Sequence, residues 1–247
     1  MSEADIIDLD KDVRRQRQHR HLSGEHDRVL GVFNRKGGTS KSTTAVNVAA
    51  IAASLGNDVL LVDLDDQGTV TQWLGYNPER TVALMEVLDP DIRRPIDEAV
   101  VGTPIPNLQL VPGSTELMAI GERLSKEAAA LPQLALRQAL ARGRRRDLVI
   151  VDTPGDLGFV TVLAAAAVGE VLITIPPEVP NVRALPELEK LLVLVREREL
   201  NPDLTLAGVL ATRVPFVGRN MEGQARDLMT QLRAHFGELM LDSFVTE

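Results

Sequence analysis

The 247-residue sequence contains no cysteine. That excludes a disulfide framework, a thiolate zinc site and an iron–sulfur cluster. Aromatic residues make up only 3%, with a single Trp and a single Tyr. The core must then be built from Ala, Val, Leu and Ile, which suits a parallel sheet covered by helices. No apolar run reaches the length of a transmembrane helix and no secretory signal is present, so a cytoplasmic protein with no membrane partner is expected. An excess of positive charge is also missing. The net charge of −8 argues against a surface that coats nucleic acid as a whole, but it leaves room for a local basic stripe. The length suits one α/β domain over 28–247.

What is present centres on the segment from Asn34 to Thr43. An apolar run, Val29–Phe33, precedes it, and a small-residue helical pattern, Ala45–Ala53, follows. Strand, Gly-rich turn and helix form the context that a phosphate-binding loop requires. Gly37 and Gly38 let the backbone turn tightly and bring its N–H groups to an anion. The helix that starts near Lys41 adds its positive dipole end. Lys41 supplies a full charge for β- and γ-phosphates, and the Ser42 hydroxyl is placed to ligate Mg²⁺. The usual pattern G-x-x-x-x-G-K-[ST] fails, because Arg35 holds its first Gly position and Ser40 precedes Lys41. The pattern that fits is K-G-G-x-x-K-[ST], with Lys36 at the front. Without its context this would be a Gly- and Lys-rich surface turn.

Two further apolar strands end in carboxylates. Val59–Val62 runs into Asp63, Asp65, Asp66, Gln67 and Gly68, and Leu148–Val151 runs into Asp152, Thr153, Pro154 and Gly155. In open parallel sheets, ligands bind at the C-terminal ends of strands. Asp152 at such a tip can hold Mg²⁺, and Asp63 has a structural reading as the cap of its turn. Strands alternating with helices predict βαβ units and a parallel sheet with right-handed crossovers.

Together these segments resemble the ParA/MinD family of ATPases with a deviant Walker A motif, from about Arg28 to Asp242. Ser40 stands where the family has Gly, Asp66 where it has Pro, and Gly155 where it has a second Pro; the extra glycine is expected to give that loop more freedom. The resemblance implies a P-loop NTPase fold, a mostly parallel twisted sheet flanked by helices on both faces. It implies that ATP and Mg²⁺ are bound by Lys36, Gly37, Gly38, Thr39, Ser40, Lys41, Ser42 and Thr43. Mg²⁺ then sits on Ser42 and Asp152 with Asp65 nearby, and Asp65 positions the attacking water. Lys36 acts across a homodimer interface like an arginine finger. Thr212 and Arg213, at a strand exit, are expected to line the adenine pocket.

Elsewhere the pattern predicts short helices at Thr81–Leu88 and Pro95–Val101, and a strand at Asn107–Pro112. Helices are predicted at Ser114–Arg123, Glu127–Arg142 with Gly143 as C-cap, Leu157–Val168 and Val182–Glu199. Strands follow at Val171–Glu178 and Leu204–Thr212. Residues 1–27 read as a disordered charged extension, either solvated or a basic arm; His19, His21 and His26 within it are weak metal candidates. Arg144, Arg145 and Arg146 read as a solvated helix end or as a DNA contact. The Arg219–Phe236 helix carries an apolar face of Met221, Ala225, Leu228, Met229, Leu232 and Phe236. Arg219, Arg226 and Arg233 recur every seven residues along it, either as a solvated flank with Glu222 pairing Arg226 or as a DNA-binding stripe.

The resemblance is closest to ParA proteins. It implies an ATP-dimerised switch that partitions DNA, binds DNA non-specifically, associates with the nucleoid and works with a ParB-type partner. The rivals are a MinD-like regulator of division-site placement, a positioner of other cargo, and a non-hydrolysing nucleotide-binding scaffold. A metabolic ligase or kinase fits less well, because no separate substrate domain is visible in the sequence.

Overall fold

The structure, a computed structural model, describes residues 28–77, 83–89, 92, 94–117, 131–217 and 220–246. The expectations for 1–27, for Arg219 and for most of the Ser114–Arg123 helix lie outside the described residues. Strand β1 (Arg28–Phe33) leads to helix α1 (Lys41–Ser54), β2 (Val59–Asp63) and the short helix α2 (Thr69–Trp73). Then come α3 (Ala83–Leu88), β3 (Val101–Gly102), β4 (Leu108–Val111), α4 (Ala135–Arg142) and β5 (Leu148–Asp152). They are followed by α5 (Phe159–Ala167), β6 (Glu170–Ile175), α6 (Val179–Val182), α7 (Leu185–Glu197) and β7 (Thr205–Val214). A hairpin of β8 (Phe216–Val217) and β9 (Asn220–Met221) precedes α8 (Gly223–Phe236) and β10 (Met240–Thr246).

Eight strands form one sheet in the order β10-β7-β6-β1-β5-β2-β4-β3, parallel except for the antiparallel β3–β4 pair. Alternate residues of each central strand feed opposite faces. Leu60, Val62, Val149 and Val151 join the face covered by α3, α4, α5, α7 and α8. Val59, Leu61 and Ile150 join the face covered by α1 and α2. The alanines of α1, Ala45, Ala49 and Ala53, are fully buried there and let the helix lie close to the sheet.

Several predicted elements shift, each for a local reason. The helix expected over Pro95–Val101 is one 3₁₀ turn, Ile96–Ala99, because Val101 instead pairs with Leu110 at the sheet edge. The helix expected over Val182–Glu199 starts later, at Leu185, and Val182 instead ends α6; Pro186, in the first turn of α7, has no N–H to continue a ladder from the preceding turn. The last long helix starts at Gly223, not at 219. Phe216 and Met221 pair across the hairpin, so Met221 lies on a strand while the remaining apolar face is buried as expected.

In the arginine cluster after α4, Arg145 is exposed, while Arg144 and Arg146 are committed to carboxylates. Arg144 grips both oxygens of Asp58 and also reaches the Gln109 side chain at 2.6 Å. The Arg146 side chain is only 1% exposed and donates to Asp97 at 2.6 Å. Asp97, though partly desolvated, is held below the usual carboxylate range by the Arg144 amide and the Arg146 guanidinium. Gly143 is not a left-handed cap: its backbone is extended. A Cβ there would come within 2.6 Å of Ile96 and 2.9 Å of Asp97, so close approach requires the glycine.

Candidate functional site

Strand β1 lies between β6 and β5. The chain leaves β1 into α1 on one face and leaves the neighbouring β5 into α5 on the other face. Such a divergence at the C-terminal ends of parallel strands opens a crevice for ligand. The loop 34–40 fills the mouth of this crevice.

Side chains brace the loop from below. Asn34 is buried, donates to the Thr174 carbonyl of β6, and accepts the Lys36 amide at 3.0 Å. Thr39 donates to the Lys36 carbonyl at 3.2 Å. Lys41 is itself buried, and its Nζ crosses the loop to the same carbonyl at 2.9 Å. Burial lowers the Lys41 pKa, against the pull of Asp152, Asp65 and Asp156. Gly38 and Ser40 both take left-handed backbone, at φ 73° and 63°. A left-handed L-residue is strained, so the departure from Gly at position 40 has a conformational meaning. No side chain caps the first turn of α1.

The carboxylates differ sharply. Asp63 is fully buried but accepts from the Thr71 amide at 3.0 Å, the Thr71 hydroxyl at 2.6 Å and the Asp65 amide at 3.1 Å. Desolvation still pushes it up to about 6. Its role is the structural cap of its turn. Asp152 is also 0% exposed, yet neither of its carboxylate oxygens has a hydrogen-bond partner among the described residues. Desolvation and the Asp63 charge push it up to about 8; the Ser42 hydroxyl and Lys41 pull the other way, although the hydroxyl makes no well-formed hydrogen bond to it. Asp65 is half-buried and accepts the Gln67 amide at 3.0 Å. Desolvation raises its pKa, with neighbouring Asp66 adding to the rise. Two bare carboxylate oxygens beside a hydroxyl are a donor set that suits a hard cation. A buried carboxylate left without partners is otherwise costly.

Two further loops pack against these groups. A Cβ on Gly155 would come within 2.9 Å of the Gly37 amide nitrogen and 3.1 Å of the Lys36 carbonyl carbon. The glycine expected to add freedom is instead a packing requirement, because the β5 exit lies directly on the phosphate-binding loop. Gly113, after β4, leaves similar space beside Asp63, and its amide donates to the Thr71 hydroxyl at 2.8 Å. No sequence pattern marks Thr71, Gly113 or Asp156, and none gives Asn34, at the start of the loop segment, its bracing role. Only their proximity to carboxylate and loop reveals them.

Thr212 and Arg213 reach the same loop from the end of β7. The Thr212 hydroxyl donates to the Thr39 carbonyl at 3.1 Å, and the Arg213 guanidinium donates to the Gly38 carbonyl at 3.2 Å. Arg213 itself adopts left-handed backbone at φ 50°. Thr212 is fully buried, so in this arrangement it buttresses the loop. A cavity of about 360 Å³ opens beside Arg213, lined also by Pro177, Glu178, Pro180 and Glu222. Arg35 pairs with Glu187 of α7 at 2.9 Å. The Lys36 side chain, partly exposed, makes no hydrogen bond or ion pair among the described residues. On α8, Arg226 donates to the Met221 carbonyl at 3.1 Å and Arg233 pairs with Asp242 at 3.2 Å; both are exposed. No helix among the described residues is long and apolar enough to cross a membrane.

A family model described as an AAA domain matches residues 27–206. The chromosome-partitioning ATPase Soj of Thermus thermophilus is 38% identical over 211 residues, covering 85% of this chain and 78% of that protein. The chain belongs to the ParA/MinD family of P-loop ATPases. The chromosome partitioning protein ParA of Caulobacter vibrioides is 32% identical over 228 residues, covering 91% of this chain and 82% of that relative. Among solved structures, cobyrinic acid a,c-diamide synthase of Mycobacterium smegmatis with bound ADP and magnesium superposes with a TM-score of 0.76. It is 32% identical, over 85% of this chain and 83% of that one. The eight-stranded sheet with helices on both faces is that of the ParA/MinD family.

Proposed function

We propose that this chain is an ATP-dependent switch that dimerises around nucleotide and partitions DNA. The observation that carries the reading is Asp152, whose two buried oxygens, without hydrogen-bond partners among the described residues, lie beside Ser42 at the foot of a phosphate-binding loop. In this reading the 37–43 loop and Lys41 bind the β- and γ-phosphates of ATP. Ser42 and Asp152 hold Mg²⁺, with Asp65 nearby; the ion neutralises charge on the phosphate oxygens when bound. Asp65 orients the attacking water. Lys36 reaches across a homodimer interface to the partner's phosphates, which agrees with its ammonium having no partner among the described residues. Catalysis is then positioning plus charge neutralisation, and hydrolysis releases the dimer. Arg213 and the cavity beside it receive the adenine, with Thr212 supporting the loop behind it.

The names of the Soj and ParA relatives support chromosomal DNA as cargo. In this reading a ParB-type partner stimulates turnover. DNA binding is non-specific and uses the α8 arginines, which concentrates the ATP form on the nucleoid. A second reading, an ATP-dependent synthase, is favoured by the 32% identity with the diamide synthase. Phosphate release and light scattering with ATP and Mg²⁺ alone separate the two. The partition reading expects slow turnover without any acid acceptor. It expects dimer trapping in Asp65→Ala, lost nucleotide binding in Lys41→Ala, and intact binding without dimerisation in Lys36→Ala. A Lys36→Ala protein that dimerises and turns over like wild type refutes the cross-subunit role, and turnover that needs an acid acceptor favours the synthase.

A further inference from the structure

The helices α7 and α8 do not close completely over the N-terminal ends of β6 and β7. A cavity of about 240 Å³ remains between them, away from the strand ends that carry the phosphate-binding loop. Its walls are mostly apolar, including Val171, Leu192, Leu206 and Leu239. Glu189, His235, Arg196 and Thr205 supply the polar part of the lining, and exposed Ala234 sits at its edge.

Glu189 is the unusual member. It is only 5% exposed, and one carboxylate oxygen bonds His235 Nε2 at 2.8 Å. The other oxygen, Oε2, is buried with no hydrogen-bond partner among the described residues. The core face of an amphipathic helix rarely carries a carboxylate without a reason, because a desolvated acceptor left unpaired is costly. The terminal torsion of a glutamate is broad, so a small rotation can turn this oxygen toward a donor inside the cavity. An apolar cavity of about 150 Å³ already takes benzene, so this space holds a substituted ring.

We propose that the α7–α8 cavity is a binding site for a small apolar molecule carrying one hydrogen-bond donor. The apolar body fills the space between Leu192, Leu206 and Leu239, and the donor satisfies the open acceptor of Glu189. Nothing in this site touches the nucleotide loop, so its occupancy is testable by direct binding, independently of ATP turnover.

The test uses the full chain with labelled Leu and Val methyls and two probes of similar shape, benzyl alcohol and toluene. Benzyl alcohol is expected to shift the Val171, Leu192, Leu206 and Leu239 methyl resonances saturably. Toluene, which leaves the acceptor unpaired, is expected to bind about tenfold more weakly. Glu189→Leu reverses that preference. Ala234→Phe, a change at an exposed helical position, covers the edge of the cavity and abolishes the benzyl alcohol shifts while the protein stays folded. Equal binding of the two probes, absence of a saturable shift, or wild-type binding in Ala234→Phe each overturns the proposal.

Discussion

Asp63 and Asp152 are direct partners in the parallel ladder between β2 and β5, yet among the described residues only the Asp63 carboxylate has hydrogen-bond partners. The same strand geometry thus produces two different carboxylates. Thr71 and the Asp65 amide turn one into a structural cap. The other is left bare beside Ser42, with its charge opposed by burial and by its neighbour. A cation or a proton resolves that conflict, and in the proposed function the cation arrives with a nucleotide phosphate.

Asp152 therefore sets a pH dependence in the metal-free protein. A carboxyl pushed from 3.8 up to about 8 holds its proton more tightly in the folded chain than in the unfolded chain. Its contribution to stability is fully present below about pH 4 and is lost as pH rises through about 8. Asp152→Asn should flatten this part of the profile and raise the denaturation midpoint at pH 8. It should also abolish turnover with ATP and Mg²⁺. Urea titrations in chelator at pH 5 and pH 8 check the first outcome. An unchanged difference between the two would show that Asp152 is already charged without a metal.

Gly155→Ala should push the β5 exit off the phosphate-binding loop, since its Cβ lies 2.9 Å from the Gly37 nitrogen and the obstacle is backbone. Overpacking of this kind costs about 1–3 kcal/mol. The loss of fold stability is expected together with weaker nucleotide binding, read by urea unfolding and by fluorescent-nucleotide titration. Retention of both properties would mean that the loop yields freely there.

Ser40→Gly should act in the opposite direction. Left-handed backbone costs an L-residue about 1–2 kcal/mol, while the greater unfolded-state freedom of glycine returns about 0.5–1 kcal/mol of that gain. A net stabilisation of about 0.5–1 kcal/mol is expected, with nucleotide binding retained. Ser40→Val should be clearly destabilising, because a β-branched residue tolerates φ 63° poorly. Denaturation midpoints of the two variants decide the matter.

Arg226→Glu with Arg233→Glu should abolish DNA binding by the ATP form while ATP-dependent dimerisation survives. Both guanidiniums are exposed on α8 and make only single contacts to Met221 and Asp242 in the contacts described above. Exposed ion pairs of this kind contribute little to stability, so the fold should tolerate the change. Wild-type binding should weaken steeply with salt, because the contacts are to phosphates. A double variant that still shifts plasmid DNA at the wild-type protein concentration would make this flank a solvated face.

How much of this was legible in the sequence depends on the range of the interaction. The loop 34–43, the carboxylates at two strand ends and the run of buried strands follow from local pattern: apolar segments, glycines and spacing. Those features fix strand, turn and helix within a few residues, so the crevice and its main side chains are readable in order. Boundaries failed where a strand pairing overrode a helical pattern, even over a few residues. Val101 left its expected helix to pair with Leu110, and Met221 left its helix to pair with Phe216. Arg144 and Arg146 read as a basic patch because no local pattern shows that Asp58 and Asp97 lie against them. Gly155 read as a source of freedom, whereas the backbone of a loop more than a hundred residues earlier demands the missing Cβ. The sequence by itself determined the sheet, the phosphate-binding loop and the types of its chemical groups, because these rest on short-range periodicity. Only the tertiary structure decided which carboxylate is satisfied and which is bare, because burial and hydrogen-bond partners are supplied by strands far apart in the chain.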